Sequence, residues 1–196
     1  MPKLFKQSII TVFAYGQTGS GKTFTMKGIQ NMAVTEVFQR KNSNTNFFMS
    51  FYEIYSGKCF DLLNNNNYVR ILEDKNNNVQ IYGLVEREVE KPEDMHKIIE
   101  FGHSSRTTHS TTSNDTSSRS HAICILCVRD SKSNLLGKLI LVDLAGSERA
   151  QDTQSNNRQR RLEGAEINKS LLALKECIRA MNTQATHIPF RASKLT

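Results

Sequence analysis

A glycine-rich segment near the amino terminus carries the residue types that hold phosphate groups. Gly16-Gln17-Thr18-Gly19-Ser20-Gly21-Lys22-Thr23 fits the pattern GxxxxGK[ST]. The glycines let the backbone wrap around a phosphate with its N–H groups facing inwards, and the positive end of a following helix adds to the attraction. In such a loop, the Lys22 ammonium would reach the outer phosphates and the Thr23 hydroxyl would ligate Mg²⁺. The segment therefore predicts a site for a nucleoside triphosphate.

An acidic partner for the metal is expected at the end of another buried strand. Asp143 directly follows the apolar run 138–142 and is the leading candidate, although a lone Asp after a strand is more often a turn or cap residue. Residues 143–148 read DLAGSE, in which the N–H of Gly146 could sense the outermost phosphate. ATP is favoured over GTP because the guanine-reading motif NKxD is absent, since Asn168-Lys169-Ser170-Leu171 lacks the acid.

Length and composition are those of a globular protein. The 196 residues suffice for one domain with a core, and 38% are hydrophobic and 23% charged. No apolar run approaches the roughly 20 residues that cross a bilayer. The first residues run into the glycine-rich loop without a signal-peptide cleavage site. We expect a cytoplasmic protein.

The four cysteines are scattered and predict neither disulfides nor a metal site. Cys124 and Cys127 form a CxxC pair inside the apolar run 121–128. In a strand, this odd spacing points the two side chains to opposite faces, and no second pair completes a zinc site. Structural packing is therefore favoured over metal or redox chemistry.

The net charge of +7 is concentrated in the last quarter of the chain. Residues 152–196 carry eight Lys or Arg against four acids. A basic surface implies an acidic partner, and nucleic acid, an anionic membrane and an acidic protein polymer all qualify. Composition alone does not choose between them.

Hydrophobic patterning predicts alternating strands and helices, and hence an α/β fold of the P-loop NTPase class. We expect a mostly parallel sheet with helices on both faces. The predicted strands are 9–15, 46–55, 69–73, 79–84, 121–128 and 138–142, with a turn at 56–57. The predicted helices are 22–40 with an interruption at Gly28, 92–103 and 163–181, and 107–118 is a polar loop.

The last helix is amphipathic and has a cationic flank. Its predicted core stripe is Ile167, Leu171, Leu174, Ile178 and Met181. Beside it lies a second stripe made of Asn168, Leu172, Lys175 and Arg179. On an isolated helix, such a flank would be read as a solvated charged face.

Separated blocks of this sequence resemble the kinesin motor family. They are FAYGQTGSGKTFTM (13–26), NDTSSRSH (114–121), LVDLAGSER (141–149) and EGAEINKSLLAL (163–174). The resemblance extends from about Ile9 to Thr196 and implies an ATP-hydrolysing microtubule motor that uses Mg²⁺. The implied fold is the kinesin-motor version of the P-loop class.

The resemblance assigns roles to further residues. The polar loop ending at His121 would be switch I, with Ser118 joining Thr23 on Mg²⁺, and 143–148 would be switch II. Arg119 and Glu148 resemble an ion pair that closes around the attacking water. Phe24 stands where the family often has a ring beside adenine, although a core aromatic is an equal alternative. The implied catalytic set is Ser118, Arg119, Asp143, Gly146 and Glu148.

The resemblance also gives the basic quarter a partner, the acidic surface of tubulin. The residues expected to face the microtubule are Arg158, Arg160, Arg161, Lys169, Lys175, Arg179, Arg191 and Lys194. The segments 51–64, 171–181 and 187–196 look most like the internal-motor, microtubule-depolymerising subfamily, kinesin-13. A walking kinesin is the alternative.

Some features depart from the family pattern. Family motor domains extend beyond this chain at both ends, so we expect residues 1–196 to form a partial motor domain and a poor enzyme alone. Ala150 replaces the usual glycine after SER. A truncated, non-catalytic microtubule-binding module is a second hypothesis, and nucleic-acid binding, which lacks a motif, ranks last.

Overall fold

The computed structural model describes residues 2–76, 78–107, 116–148 and 158–196. These residues form a central sheet with helices on both faces. The strands are β1 (Ser8–Ala14), β2 (Thr45–Tyr55), β3 (Lys58–Asp61), β4 (Asn67–Glu73), β5 (Val79–Tyr82), β6 (Arg87–Val89), β7 (Ser120–Asp130) and β8 (Leu135–Asp143). The α-helices are α1 (Lys22–Phe38), α2 (Pro92–Thr107) and α3 (Arg158–Asn182).

The sheet is mixed, and the prediction that it would be mostly parallel is wrong for the described residues. Its strand order is β1-β8-β7-β2-β3-β4-β5, with β6 paired to β2. Only β1 and β8 pair in parallel among these strands, and the other pairs are antiparallel. Short connections exclude crossover helices, as at Ser56 and Gly57, whose φ angles of 48° and 71° form a tight hairpin turn. The α/β class with helices on both faces is confirmed.

Two apolar layers hold the helices to the sheet. Helices α1 and α2 cover one face through buried residues such as Met26, Val34 and Ile98. Helix α3 covers part of the other face, where Leu171 and Leu174 pack against strand residues. Cys124 belongs to the first layer, whereas Cys127 lines the face below α3, as their spacing predicted. Neither the described cysteines nor any other described His, Asp or Glu residues form a cluster able to hold a metal ion.

Two helices are longer than predicted, and α1 is uninterrupted. Gly28 lies within α1 in an exposed position, where a glycine costs only about 1 kcal/mol relative to alanine. Helix α2 continues to Thr107, and α3 begins at Arg158. No helix in the described ranges is long and apolar enough to cross a membrane.

The buried face of α3 differs from the predicted core stripe. Leu171 and Leu174 are buried, but Ile178 and Met181 are 47% and 49% exposed. The buried face instead runs through Glu163 and Ser170, whose side chains bond to residues of the sheet and its adjoining loop. Ala173 and Cys177 are buried as well, so the buried face of α3 is rotated relative to the predicted stripe.

Candidate functional site

The glycine-rich loop connects the end of β1 to the start of α1. Gly19 and Gly21 have φ angles of 77° and 82°, in the left-handed region that favours glycine. The Lys22 side chain is buried, and its Nζ donates to the carbonyl of Gln17 at 2.7 Å. The structure therefore has the strand, loop and helix that the phosphate-loop pattern requires. Between β1 and α1 lie the predicted loop residues Gly16, Gln17, Thr18, Gly19, Ser20 and Gly21.

Thr23 and Asp143, both predicted metal ligands, are in contact. Thr23 Oγ1 donates to Asp143 Oδ2 at 2.7 Å, because the parallel pairing of β1 and β8 aligns Ala14 with Asp143. Asp143 is 1% exposed, and its Oδ1 has no hydrogen-bond partner among the described residues. A buried carboxylate oxygen beside a hydroxyl is the hard oxygen donor set that Mg²⁺ takes. The two residues fit the cation.

Arg106, at the end of α2, is a buried part of this site that sequence reasoning missed. It is 2% exposed, and its Nη1 donates to Asp143 Oδ2 at 2.5 Å. Its other donors reach the Ser120 hydroxyl and the carbonyls of Ser117 and Ser120 at 2.6–3.0 Å. Arg106 thus fixes both the predicted metal-binding acid and the start of β7. No local motif marks it, because only the pairing of β7 with β8 brings α2, Ser120 and Asp143 together.

The segment after β8, predicted as switch II, is held by the backbone amides of residues 144–147. Three of these four amides donate to backbone carbonyls, and the amide of Ala145 donates to His121. The N–H groups of Leu144 and Ser147 donate to the carbonyls of Ala14 and Gly16 at 3.3 and 3.1 Å. The N–H of Gly146 donates to the carbonyl of Ser118 at 2.9 Å. Ser118 is half-buried at the end of the short turn Thr116–Ser118, so both predicted switches and the glycine-rich loop meet here.

Glu148 contacts the glycine-rich loop instead of Arg119. The backbone N–H of Thr18 donates to Glu148 Oε2 at 3.0 Å, and the Thr18 hydroxyl donates to Oε1. Burial favours a higher pKa for Glu148, but the bonds from Thr18 and the Lys22 charge hold the pKa below its usual value. A Cβ at Gly146 would collide with Thr18 and Glu148, so this contact requires glycine there.

Arg119 contacts helix α3. Its Nη1 donates to Glu163 Oε2 at 3.1 Å, and the Tyr55 hydroxyl donates to Glu163 Oε1 at 2.7 Å. The predicted ion pair between Arg119 and Glu148 is therefore absent among the contacts of this structure. The physical reason is that each partner is engaged elsewhere, with Glu148 bound by both donors of Thr18 and Arg119 directed towards the start of α3.

His121 joins β7 to two other elements. Its Nδ1 accepts from the N–H of Ala145 at 3.1 Å, and its Nε2 lies 2.7 Å from Ser170 Oγ. The Ser170 hydroxyl donates to the carbonyl of Ile167, so Nε2 carries the histidine proton. Burial lowers the pKa of His121 to about 4, with a smaller contribution from the Arg106 charge. The ring is therefore neutral.

Phe24 projects from the first turn of α1. It is 84% exposed, which excludes the core-aromatic alternative and leaves a free ring beside the glycine-rich loop. Its contact with adenine remains a prediction.

The basic residues of α3 lie partly as predicted. Arg161, Lys169, Lys175 and Arg179 are exposed, and Leu172 between them is 59% exposed. Arg158 and Arg160 lie in the first turn of α3, before the predicted start of this helix at residue 163, and their side chains lie outside the described residues. Beyond the helix, Arg191 pairs with Glu73 at 2.7 Å, while Lys194 is exposed. Arg149 and Ala150 are outside the described residues.

Comparison with known proteins identifies the family of this chain. The family model of the kinesin motor domain matches residues 1–196. The chain belongs to the kinesin family. The chain is 52% identical over 193 residues to diatom spindle kinesin-1 of Cylindrotheca fusiformis, covering 97% of this chain and 31% of that protein. The structure of a fast kinesin superimposes with a TM-score of 0.78 at 29% identity, covering 99% of this chain and 60% of that one.

These relatives do not support the predicted kinesin-13 subfamily. The diatom protein is named a kinesin-1 and the solved structure a fast kinesin, and neither name supports the depolymerase subfamily. The segment 171–181, on which that prediction partly rested, has Leu171, Leu174 and Cys177 in the core, so part of its resemblance reflects packing.

Proposed function

We propose that this kinesin motor domain binds Mg·ATP, hydrolyses it, and uses the energy to move along microtubules. The observation that carries the proposal is the convergence of the glycine-rich loop, Asp143 and the backbone amides of 144–147 at one end of the sheet. Phosphoryl transfer depends mainly on positioning and electrostatic stabilisation, which such a constellation of donors supplies.

In this proposal, the glycine-rich loop holds the phosphates of ATP. The backbone N–H groups of 16–21 face the phosphate oxygens, and the start of α1 adds its positive end. Lys22 exchanges the Gln17 carbonyl for an outer phosphate oxygen. Phe24 is free to contact the adenine ring because its side chain is exposed.

Thr23, Asp143 and Ser118 would hold the magnesium ion. Asp143 Oδ1 is the buried oxygen available for this, directly or through water, while Arg106 occupies Oδ2. When bound, Mg²⁺ neutralises charge on the phosphate oxygens.

Hydrolysis then requires the two switches to rearrange. Gly146 N–H must leave the Ser118 carbonyl to reach the γ-phosphate, and Arg119 must leave Glu163 to reach Glu148. The closed pair would position the attacking water, while Glu148 gives up its bonds to Thr18. The present arrangement therefore corresponds to an open state.

The exposed cationic flank of α3 is the proposed microtubule surface. Lys169, Lys175 and Arg179 present positive charge that suits the acidic polymer. One relative is named a spindle kinesin, and the fast kinesin structure concerns ATPase mechanism and interactions with microtubules. We therefore place this protein on cytoplasmic microtubules, including those of the spindle.

The test uses full-length protein and measures ATP turnover with and without microtubules. We expect microtubule-stimulated hydrolysis that Lys22→Ala abolishes, while Lys27→Ala, an exposed change on the same helix, leaves it intact. Microscopy of labelled microtubules separates the modes of action, because gliding supports a walking motor and end shortening supports a depolymerase. Microtubule binding without hydrolysis would support the non-catalytic binding module instead.

A further inference from the structure

A buried side chain links the nucleotide site to helix α3. Of the four amides that hold 144–147, three donate to backbone carbonyls, of Ala14, Gly16 and Ser118. The fourth, the N–H of Ala145, donates to His121 Nδ1. This bond alone among the four depends on a side chain, and the same ring reaches α3 through Ser170.

We propose that His121 is a positioning residue that couples switch II to helix α3. Its ring spans from Ala145, adjacent to the phosphate-sensing Gly146, to Ser170 on the helix with the exposed cations. Rotation or translation of α3 on a microtubule therefore displaces Ser170, the imidazole and the Ala145 amide together. The inference rests on the proposed function and names the route by which the polymer controls the catalytic loop.

The geometry of the three bonds makes the connection specific. The Ser170 hydroxyl donates to the Ile167 carbonyl at 2.7 Å, so it accepts from His121 Nε2–H, which leaves Nδ1 as the acceptor for Ala145. One tautomer satisfies all partners. His121, Ser170 and Ala145 are 2%, 8% and 0% exposed, so water cannot replace a lost partner without rearrangement.

The substitutions remove the two hydrogen bonds of the His121 ring separately. Ser170→Ala removes the attachment to α3, and Ser170→Thr keeps the hydroxyl. His121→Gln places an amide near Nε2 and loses the acceptor for Ala145, whereas His121→Asn keeps an acceptor near Nδ1 and loses the reach to Ser170. A matched control exists in His103, another buried histidine, whose Nε2 lies 2.8 Å from Gln30 Oε1 between α1 and α2. Gln30→Ala removes a comparable buried partner without touching segment 144–147 or α3.

The experiment measures the ratio of microtubule-stimulated to basal ATP turnover in full-length protein, with the microtubule KM and thermal melting determined in parallel. We expect Ser170→Ala, His121→Gln and His121→Asn each to lower this ratio by about tenfold, within the range of couplings between sites. We expect KM for microtubules to change little, and Ser170→Thr and Gln30→Ala to keep the wild-type ratio.

Each outcome either supports or contradicts the coupling through His121. An unchanged ratio in Ser170→Ala overturns the coupling, and so does an equal loss in Gln30→Ala, because general destabilisation would then explain both. If Ser170→Ala fails to fold, the two His121 variants carry the same comparison. A wild-type protein that microtubules do not stimulate contradicts the proposed function and the coupling with it, whereas stimulation that survives all three variants contradicts the coupling alone.

Discussion

Thr23 Oγ1 donates to Asp143 Oδ2 at 2.7 Å, although the two residues lie 120 positions apart in the chain. Arg106 donates to the same carboxylate oxygen, so Oδ2 is fully engaged by protein while Oδ1 faces no described donor. This division assigns one oxygen of Asp143 to holding the site together and leaves the other for a cation. In the proposed function, this one side chain serves both stability and catalysis.

Removal of the Lys22 charge should abolish nucleotide binding without unfolding the protein. Among the described residues, Lys22 Nζ donates a hydrogen bond only to the Gln17 carbonyl, so its ammonium is available for phosphate. We expect Lys22→Ala to weaken ATP binding by at least about 100-fold, equivalent to losing about 3 kcal/mol. Titration with a fluorescent ATP analogue measures this, with Lys27→Ala as the control. Wild-type affinity in Lys22→Ala would refute the phosphate-loop assignment.

Removal of Arg106 should destabilise the fold strongly. Arg106→Ala leaves the buried Asp143 carboxylate without its cationic partner and removes a donor from the carbonyls of Ser117 and Ser120, and breaking such a pair costs about 3–5 kcal/mol. Arg40→Ala breaks an exposed pair with Glu36 and should cost less than about 1 kcal/mol. Urea unfolding of both variants gives the comparison. Equal stability of the two would show that the Arg106 network contributes little.

In the stability of the nucleotide-free fold, Arg119 should be coupled to Glu163 and not to Glu148. A double-mutant cycle of Arg119→Ala with Glu163→Ala, read from urea unfolding without nucleotide, should give a coupling of about 0.5–1 kcal/mol, because the pair is partly exposed. The cycle of Arg119→Ala with Glu148→Ala should give none, since the two residues do not touch here.

ATP turnover should instead depend on Arg119 together with Glu148. If Arg119 and Glu148 close around water during hydrolysis, either alanine variant should reduce microtubule-stimulated turnover by at least about 100-fold with little change in ATP affinity. Loss of ATP binding with normal hydrolysis of what remains bound would contradict the switch assignment.

Charge reversal on α3 should weaken microtubule binding in a salt-dependent manner. Lys175→Glu and Arg179→Glu remove exposed positive charges from the proposed interface, so cosedimentation affinity should fall several-fold at low salt and the difference should shrink at high salt. Lys97→Glu reverses an equally exposed charge on α2, on the opposite face of the sheet, and serves as the control. The interface assignment fails if all three variants bind alike.

Stability should fall as pH drops from about 6.5 to about 4. Burial lowers the pKa of His103 to about 4, and the Lys27 and Arg106 charges add to this while Asp143 opposes it. In the unfolded chain the pKa is near 6.5, so below that pH the unfolded state binds a proton that the folded state does not. For His103 alone, the loss of stability approaches about 1.4 kcal/mol per pH unit within this window. His103→Gln should flatten this part of the stability profile, measured by urea unfolding at pH 7, 6 and 5, and an unaltered slope would contradict it.

The sequence predicted the parts of this site that local patterns encode. The loop 16–23 has a fixed spacing of glycines, lysine and hydroxyl, and Asp143 follows an apolar strand, so both were identified from their neighbours. Arg106, Glu163 and Ser170 were missed as site residues because each acts across elements that only strand pairing and the seating of α3 bring together. The antiparallel hairpin of β7 and β8 places Asp143 beside the start of β7. The expectation of a parallel sheet did not predict this hairpin.

The parallel pairing of β1 with β8 has a consequence for how the protein is made. The ribosome completes β1 at Ala14 but must add the chain up to Asp143 before β1 gains the only strand partner it has among the described residues. At roughly 5–20 residues per second, this interval is on the order of ten seconds. During that time the edge of β1 lacks its strand partner, while the hairpins from β2 to β5 form locally. The glycine-rich loop is therefore synthesised well before Asp143 and assembled only after it, and chaperones that bind unpaired segments of a nascent chain would contact β1 in that interval.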